Sequence, residues 1–332
     1  MINATPPTNR GVEPTLLPIS FKCDYFSVTI HEDFNSVFTH LIPYLFHSYD
    51  CNEYQWGDFF HDTKRGGRCY ERVYISPVGI SLYCQPVNDG QNHCHLEIKG
   101  KALESIGQLQ FIEFLTVISE TYTRWNVTRF DGAFDHSHIS PEYMVKCERD
   151  GAFRTQSRSF KLVTSTTDGK RSSTYYIGSR SKGSERMLRV YDQRGYNRVE
   201  LELRKTRADL VVKDLLLYKP DSWPSRFLCH LRDFVDVIDA DTGSGNKSRA
   251  DLCPLWADFV KASEAAKIRV SVESTSLQRT QEWIEKSVVT SLATLLDSKA
   301  VDVPWLMDQI EVGRLKMSSY QRLLVNSHLA SA

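Results

Sequence analysis

"SERMLRVYDQRGYNRVELELRKTRADL", residues 184–210, is the stretch on which the fold turns. Two apolar-alternating segments flank a short loop containing Gly195, the pattern of an antiparallel strand pair. The first segment ends in Tyr191. The second carries Glu200 and Glu202, two residues apart and therefore on one face. Six arginines, Arg186, Arg189, Arg194, Arg198, Arg204 and Arg207, lie in and around them. A tyrosine and two carboxylates among so many guanidinium groups read as a chemical site set on a sheet.

Working outward, "SFKLVTS" (159–165), "STYYIGS" (173–179), "MLRVYD" (187–192) and "RVELELR" (198–204) are four strand-like runs, followed by a helix from about 206 to 217. Toward the N-terminus, "CDYFSVTI" (23–30), "HCHLEIKG" (93–100) and "VTRFDGAFDHS" (127–137) read as strands. "RCYERVYIS" and "GISLYCQP" (68–86) form a hairpin turning at Pro77–Gly79. Helical spacing covers 33–48, with Asp33 as N-cap and Pro43 as a kink, and 108–125. A further helix over 140–149 has Ser140 as cap and Pro141 at its first position. Strands joined mostly by short connections, with a few helices among them, predict an α+β fold: a mainly antiparallel sheet with helices on one face. Two prolines in "YKPDSWPSR" (218–226) interrupt a helical pattern and suggest a boundary. The reading is a flexible lead over 1–20, a sheet domain over 21–217, and a smaller, mainly helical domain over 218–332. The last contains helices predicted over 276–298 and 303–316. "GSGNKS" (243–248) lacks the glycine spacing of a phosphate-binding loop and reads as linker.

The 332 residues are 41% hydrophobic and 25% charged, a globular composition. No apolar run approaches the roughly 20 residues that span a bilayer, and the N-terminus has no apolar core of a signal peptide. Eight cysteines without a CxxC pair read as reduced thiols in a cytosol, and zinc is not expected. Net charge is zero but unevenly spread. Residues 146–207 hold 16 Lys and Arg against 7 Asp and Glu, leaving 25 against 34 elsewhere. One basic region in an acidic body implies a polyanion meeting one face.

Alternation puts Asp131 with Asp135, Glu200 with Glu202, and His93 and His95 with Glu97 on common strand faces. Carboxylates gathered there without partners would raise one another's pKa. Two resolutions stand open from the residues alone: a hard divalent cation with oxygen ligands, or ion pairs with Arg129, Arg189 and Arg198.

In this order and spacing, "TRFDGAFD", "TYYIGSR", "LRVYDQ" and "RVELELR" resemble the replication initiation factor family (Rep_trans), the rolling-circle initiators of small plasmids and filamentous phages. The resemblance covers about 23–215, and the C-terminal tail is similar to that of the RstA-type phage members. It implies that Tyr191 attacks a DNA phosphodiester, leaving a 5′-phosphotyrosine and a free 3′-OH. It implies Glu97, Asp131 and Glu200 as ligands of Mg²⁺ or Mn²⁺, with Glu202 in reserve and His95 a candidate addition. Arg180 and Arg189 would hold the phosphate, and Lys182, Arg186, Arg194 and Arg198 would join them on DNA. The family commonly has lysine where this chain has Gln193, so Arg194 or Lys182 would have to replace its charge. Tyr196 reads as structural, and Tyr175 and Tyr176 as packing or base-stacking residues. The partners implied are a duplex origin, a single-stranded nick site, a second copy of the chain, and the host helicase and polymerase, in the cytoplasm of a bacterial host without a membrane. A conjugative relaxase and a non-catalytic DNA-binding regulator are the alternative readings. The 218–332 region is expected to supply origin discrimination or dimer contacts.

Overall fold

The structure, a computed structural model, describes residues 18–46, 60–87, 92–167, 170–181, 183–193, 195–239, 247–268, 281, 284–317 and 325. The expected N-terminal lead and part of the helix expected over 276–298 lie largely outside them.

Strand β1 (Ser20–Ile30) opens the chain. Asp33 then caps α1 (Phe34–Ser36), its carboxylate accepting from the Ser36 N–H at 3.0 Å. The helix continues as a π turn and then a 3₁₀ turn through Phe46, and Pro43 lies in the tightened part. Strands β2 (His61–Asp62), β3 (Tyr70–Ile75), β4 (Ile80–Pro86) and β5 (Cys94–Lys99) follow. Helix α2 (Gly100–Ile106), which the spacing did not predict, precedes α3 (Gln108–Thr121). Strand β6 (Trp125–Ser137) leads into α4 (Pro141–Arg149), capped by Ser140 as expected. Then come β7 (Phe153–Thr155), β8 (Phe160–Thr167), β9 (Lys170–Gly178), β10 (Arg186–Asp192), β11 (Asn197–Arg204) and α5 (Lys205–Leu215). The remainder is α6 (Trp223–Phe234), β12 (Val235–Val237), α7 (Pro254–Glu264), β13 (Lys267–Ile268), α8 (Val289–Asp297) and α9 (Val303–Leu315).

The expected α+β architecture is the one observed. One large sheet runs β2-β3-β4-β5-β1-β6-β11-β10-β9-β8, antiparallel throughout, and β13 adds to the start of β1 in parallel. Alternation divides it cleanly. Phe26, Val28, Leu96, Ile98, Phe130, Phe134, Val199, Leu201, Leu188 and Val190 face the helices and are buried. The opposite face carries the charged side chains.

The core does not break at residue 218. Phe227 of α6 packs on Phe21 and Phe130, with ring centroids 5.2 and 5.7 Å apart, and Phe259 of α7 packs on Phe134 at 5.8 Å. The chain through β13 therefore belongs to the same hydrophobic core as the sheet. Helices α8 and α9 differ, since neither buries a residue. Among the described residues no helix is long and apolar enough to cross a membrane.

Gly132, within "TRFDGAFD", is what lets α6 approach so closely. A Cβ on it would stand 2.4 Å from the Phe227 ring. Gly132→Ala is therefore expected to destabilise the protein by about 1–3 kcal/mol through overpacking. Adding Phe227→Leu should return part of that loss, measured by urea denaturation. An unchanged midpoint in the single variant would contradict this account of the glycine.

Candidate active site

The charged face is built from alternate residues of five adjacent strands. On β10, Arg189 and Tyr191 point to it. On β11, Arg198, Glu200, Glu202 and Arg204 do, and on β6, Arg129, Asp131 and Asp135. Pairing sets Arg189 opposite Glu200, Tyr191 opposite Arg198, and Glu202 opposite Asp131. Tyr191 is half-buried, and its hydroxyl donates to Glu200 Oε2 at 2.6 Å. Burial and the Glu200 charge together hold this phenol well above its ordinary pKa, against the opposing pull of Arg198.

Arg198 is 2% exposed. Its guanidinium donates to both oxygens of Asp135 (2.5 and 3.0 Å), to Asp24 (3.0 Å) and to the Tyr191 hydroxyl (3.4 Å). Two bulges make this convergence. The β11–β6 register shifts between Asn197 and Val199, where β6 sets Asp135 and His136 against Arg198 alone, and the β1–β6 register shifts between Cys23 and Tyr25, where Asp24 is the extra residue. Asp24, freed from the ladder by its bulge, reaches Arg198 across β6. Asp24 escaped the sequence analysis, because regular alternation in "CDYFSVTI" gives no sign of the extra residue. Burial opposes its ionisation, but Lys22 and Arg198 hold the carboxyl below its ordinary pKa.

The four acids expected to share a cation are distributed in two nests. Asp131, Glu200 and Glu202 form the first, and arginines occupy it. Arg129 donates to Asp131 (2.6 and 2.8 Å) and to Glu202 (3.0 Å). Arg189 bridges Asp131 (2.9 Å) and Glu200, and Arg180 reaches Glu202 at 2.8 Å. Burial, seconded by Glu200, still pushes the Asp131 carboxyl up to about 7 against the two guanidinium groups. Burial likewise opposes ionisation of Glu202, but its arginines keep that carboxyl below the ordinary value.

Glu97 stands in the second nest, beyond β1. Arg129 stacks on the intervening Tyr25 ring at 4.2 Å. Here Glu97 contacts Arg68, accepts from Tyr83 at 3.3 Å, and lies 3.7 Å from His95 Nε2. Burial opposes its ionisation, but His95 and Arg68 hold the carboxyl below its ordinary value. His95 Nε2 is buried without a hydrogen-bond partner, while His95 Nδ1 pairs with Thr29 at 3.1 Å. His95 lines an open cleft of about 420 Å³ with Tyr25, Thr29, Arg68, Tyr70 and Arg129. An unpartnered nitrogen beside a carboxylate held by an arginine whose side chain is 56% exposed fits a divalent cation; the Asp131 nest has its oxygens committed to several guanidinium groups. Among the described residues no three His, Cys, Asp or Glu side chains form a metal-binding group.

The other expected site residues are placed as follows. The Arg180 side chain is 55% exposed at the edge of the Asp131 nest. Arg186 lies at the far end of β10 from Tyr191, paired with Asp233 at 2.7 Å and stacked on Phe234. Lys182 and Arg194 lie outside the described residues. Tyr196 donates to Asp135 at 3.3 Å and packs on His136. Tyr175 is buried and donates to Glu148 at 2.8 Å, whereas Tyr176 is half-buried beside Arg189 on the charged face. His93 pairs with Tyr70 at 2.7 Å.

A family model described as replication initiation factor matches residues 125–310, more than half the chain. The chain belongs to the replication initiation factor family. The matched span includes Asp131, Tyr191, Glu200 and Glu202; Glu97 precedes it. Among solved structures, this initiation factor is similar to the rolling circle replication initiator protein from Geobacillus stearothermophilus. Identity is 20%, the TM-score 0.61, and the match covers 76% of this chain and 99% of that one, a likeness of fold. No curated protein is significantly similar in sequence.

Arg198→Met is expected to destabilise the fold by about 3–5 kcal/mol, because the buried Asp135 carboxylate would lose its compensating guanidinium charge. Arg198→Met combined with Asp135→Asn should recover a large part, giving a strong coupling in a double-mutant cycle by chemical denaturation. Additive losses would show that the pair is not the constraint described.

Proposed function

We propose that this initiation factor starts rolling-circle DNA replication by cutting one strand at its origin, with Tyr191 as the nucleophile. The observation that carries the reading is the 2.6 Å hydrogen bond from the Tyr191 hydroxyl to Glu200, on a sheet face dense in arginine. A phenol whose pKa is raised this far does not ionise unaided near neutrality, so it needs a proton acceptor in contact. Glu200 Oε2 is in that position. As Tyr191 Oη bonds to phosphorus, its proton passes to Glu200 and the bond from phosphorus to the 3′ oxygen breaks. The products are a 5′-phosphotyrosine and a 3′-OH whose proton comes from solvent. In rejoining, a 3′-OH loses its proton to solvent as it attacks the phosphotyrosine, the bond from phosphorus to Tyr191 Oη breaks, and Glu200 returns the proton to Tyr191. Arg198, 3.4 Å from the hydroxyl, steadies the negative charge as it develops. Arg180 is exposed enough to leave Glu202 for the scissile phosphate, and a planar guanidinium suits two phosphate oxygens. Arg189 holds Glu200 and Asp131 in place.

A divalent cation, Mg²⁺ or Mn²⁺, supplies Lewis-acid polarisation of the phosphate when bound. His95 and Glu97 would hold it, supported by the unpartnered His95 Nε2 and by the exposure of the Arg68 that pairs with Glu97; Asp131, Glu200 and Glu202 then serve as counter-ions and proton acceptor. The apolar residues left exposed on α9, among them Trp305, Met307 and Ile310, support a contact with a second copy of the chain. The remaining partners of this reading are the duplex origin and the host helicase and polymerase, in the bacterial cytoplasm.

Tyr191→Phe should abolish nicking of supercoiled DNA bearing the origin while leaving origin binding nearly intact. A covalent DNA adduct found on Tyr196 or Tyr176 would sink the assignment. Glu200→Gln should slow cleavage by roughly 10²–10⁴-fold, with a rate that climbs as pH rises above neutral and no rescue by added Mn²⁺. Rescue by Mn²⁺ would instead make Glu200 a metal ligand.

Chelation should stop cleavage, and Mg²⁺ or Mn²⁺ should restore it. His95→Ala and Glu97→Gln should each raise the Mn²⁺ concentration needed for half-maximal cleavage. Unchanged metal dependence in both would place the ion elsewhere.

A further inference from the structure

The β8–β9 hairpin is longer than the sheet that holds it. Strand β9 pairs with β10 only from Thr174, opposite Tyr191, to Gly178, opposite Met187. Strands β8 and β9 pair with each other all the way from Phe160–Ile177 to Thr167–Lys170. The last four pairs, from Thr164–Ser173 outward, have no third strand. They form a two-stranded ribbon about 13 Å long at the usual rise per residue, and it begins next to the row that contains Tyr191.

The ribbon is chemically unlike the rest of the sheet. Residues 164–173 read "TSTTDGKRSS": six hydroxyl side chains, two cations, one acid and no apolar residue. Thr164, Ser165, Thr166 and Ser172 are exposed and Ser173 half-exposed, so these side chains add nothing to the core. Its hydroxyls pair across the strands, Ser165 with Ser172 at 2.8 Å and Thr164 with Ser173 at 3.4 Å. That pairing leaves each oxygen with further hydrogen-bonding capacity. Apart from caps and turns, such a surface has no use for an apolar partner. It suits a groove walled by phosphates and floored by donors and acceptors. The major groove of B-DNA, about 12 Å wide, admits a two-stranded ribbon, and serine and threonine hydroxyls serve both phosphates and base edges there.

Pairing also fixes where that groove would be. On the charged face, Tyr191, Thr174 and Val163 form one row, and Ser172 with Ser165 forms the next row outward. We infer that the ribbon enters the major groove of duplex DNA within about four base pairs of the phosphate at Tyr191, taking about 3.4 Å per pair, and that Thr164, Ser165, Thr166, Ser172 and Ser173 contribute to origin choice. The inference rests on the nicking function proposed above. It moves part of the origin recognition expected of 218–332 onto the sheet.

The test uses the full chain with residues 164–173 replaced by an Asn-Gly turn joining the register partners Val163 and Thr174, a loop suited to two-residue hairpins. The unaltered chain first selects its preferred site from a random-sequence duplex library. The shortened chain should bind that duplex at least about tenfold more weakly, with its preference over unrelated duplex lost. It should still cleave a single-stranded oligonucleotide carrying one strand of the site at a rate within about twofold. Undiminished duplex affinity and preference would overturn the inference, as would a change confined to the oligomeric state. Should the shortened chain fail to fold, Ser165→Glu with Ser172→Glu keeps the hairpin and sets charge against phosphate. It must show the same selective loss of duplex binding, and unchanged binding would again overturn the inference. If the unaltered chain cleaves no single-stranded DNA, the nicking function fails, while the duplex arm still judges the ribbon.

Discussion

The Arg198 guanidinium is the constraint on which the site depends. It is buried between Asp135 and Asp24, and it touches the hydroxyl of Tyr191. A buried ion pair of this kind contributes little net stability, since desolvation offsets most of the attraction. What it provides is position. Strands β1 and β11 are not neighbours, yet one side chain ties both to β6 at the point where Tyr191 stands. Had the β1 bulge been absent, Asp24 would have stayed in its ladder and Arg198 would lack one of the two carboxylates that hold it beside the phenol.

Around that point the sheet separates two electrostatic problems. The Asp131 nest solves crowding of carboxylates with guanidinium groups from β6, from β10 and from the segment after β9, and its proximity to Tyr191 makes Glu200 a partner of the phenol. The Glu97 nest, across the Tyr25 ring, is less fully satisfied, because His95 Nε2 is buried without a hydrogen-bond partner. Of the two explanations that the residues alone left open, ion pairing with arginine is the arrangement found at Asp131, Glu200 and Glu202. A polyanion arriving at this face would meet Arg180 first, because Arg129, Arg189 and Arg198 are turned inward to carboxylates.

The helices have a quieter part. Helix α6 seats Phe227 against Gly132, and this contact fixes the strand whose other face carries Asp131 and Asp135. Packing on one face and chemistry on the other are the same alternation seen from two sides. For this reason the region after residue 218 contributes to the sheet's core through α6 and α7, although prolines in "YKPDSWPSR" look like a domain junction.

The antiparallel sheet, the caps at Asp33 and Ser140, and the strand holding Tyr191 opposite a strand of two acids were all legible in the residues. Period-two alternation, capping chemistry and turn residues are local properties, so they can be read along the chain. In "TRFDGAFD" the same alternation turns Phe130, Gly132 and Phe134 to the core and Arg129, Asp131 and Asp135 to the charged face. Tertiary structure alone decided which acids meet. A bulge leaves no local signature, so Asp24 stayed hidden. Strand order is a long-range outcome, so the distance from Glu97 to Asp131 was fixed only when β1 came to lie between their strands. The length of the β8–β9 ribbon beyond the sheet was decided the same way, since it depends on where β10 stops pairing and not on the hairpin itself.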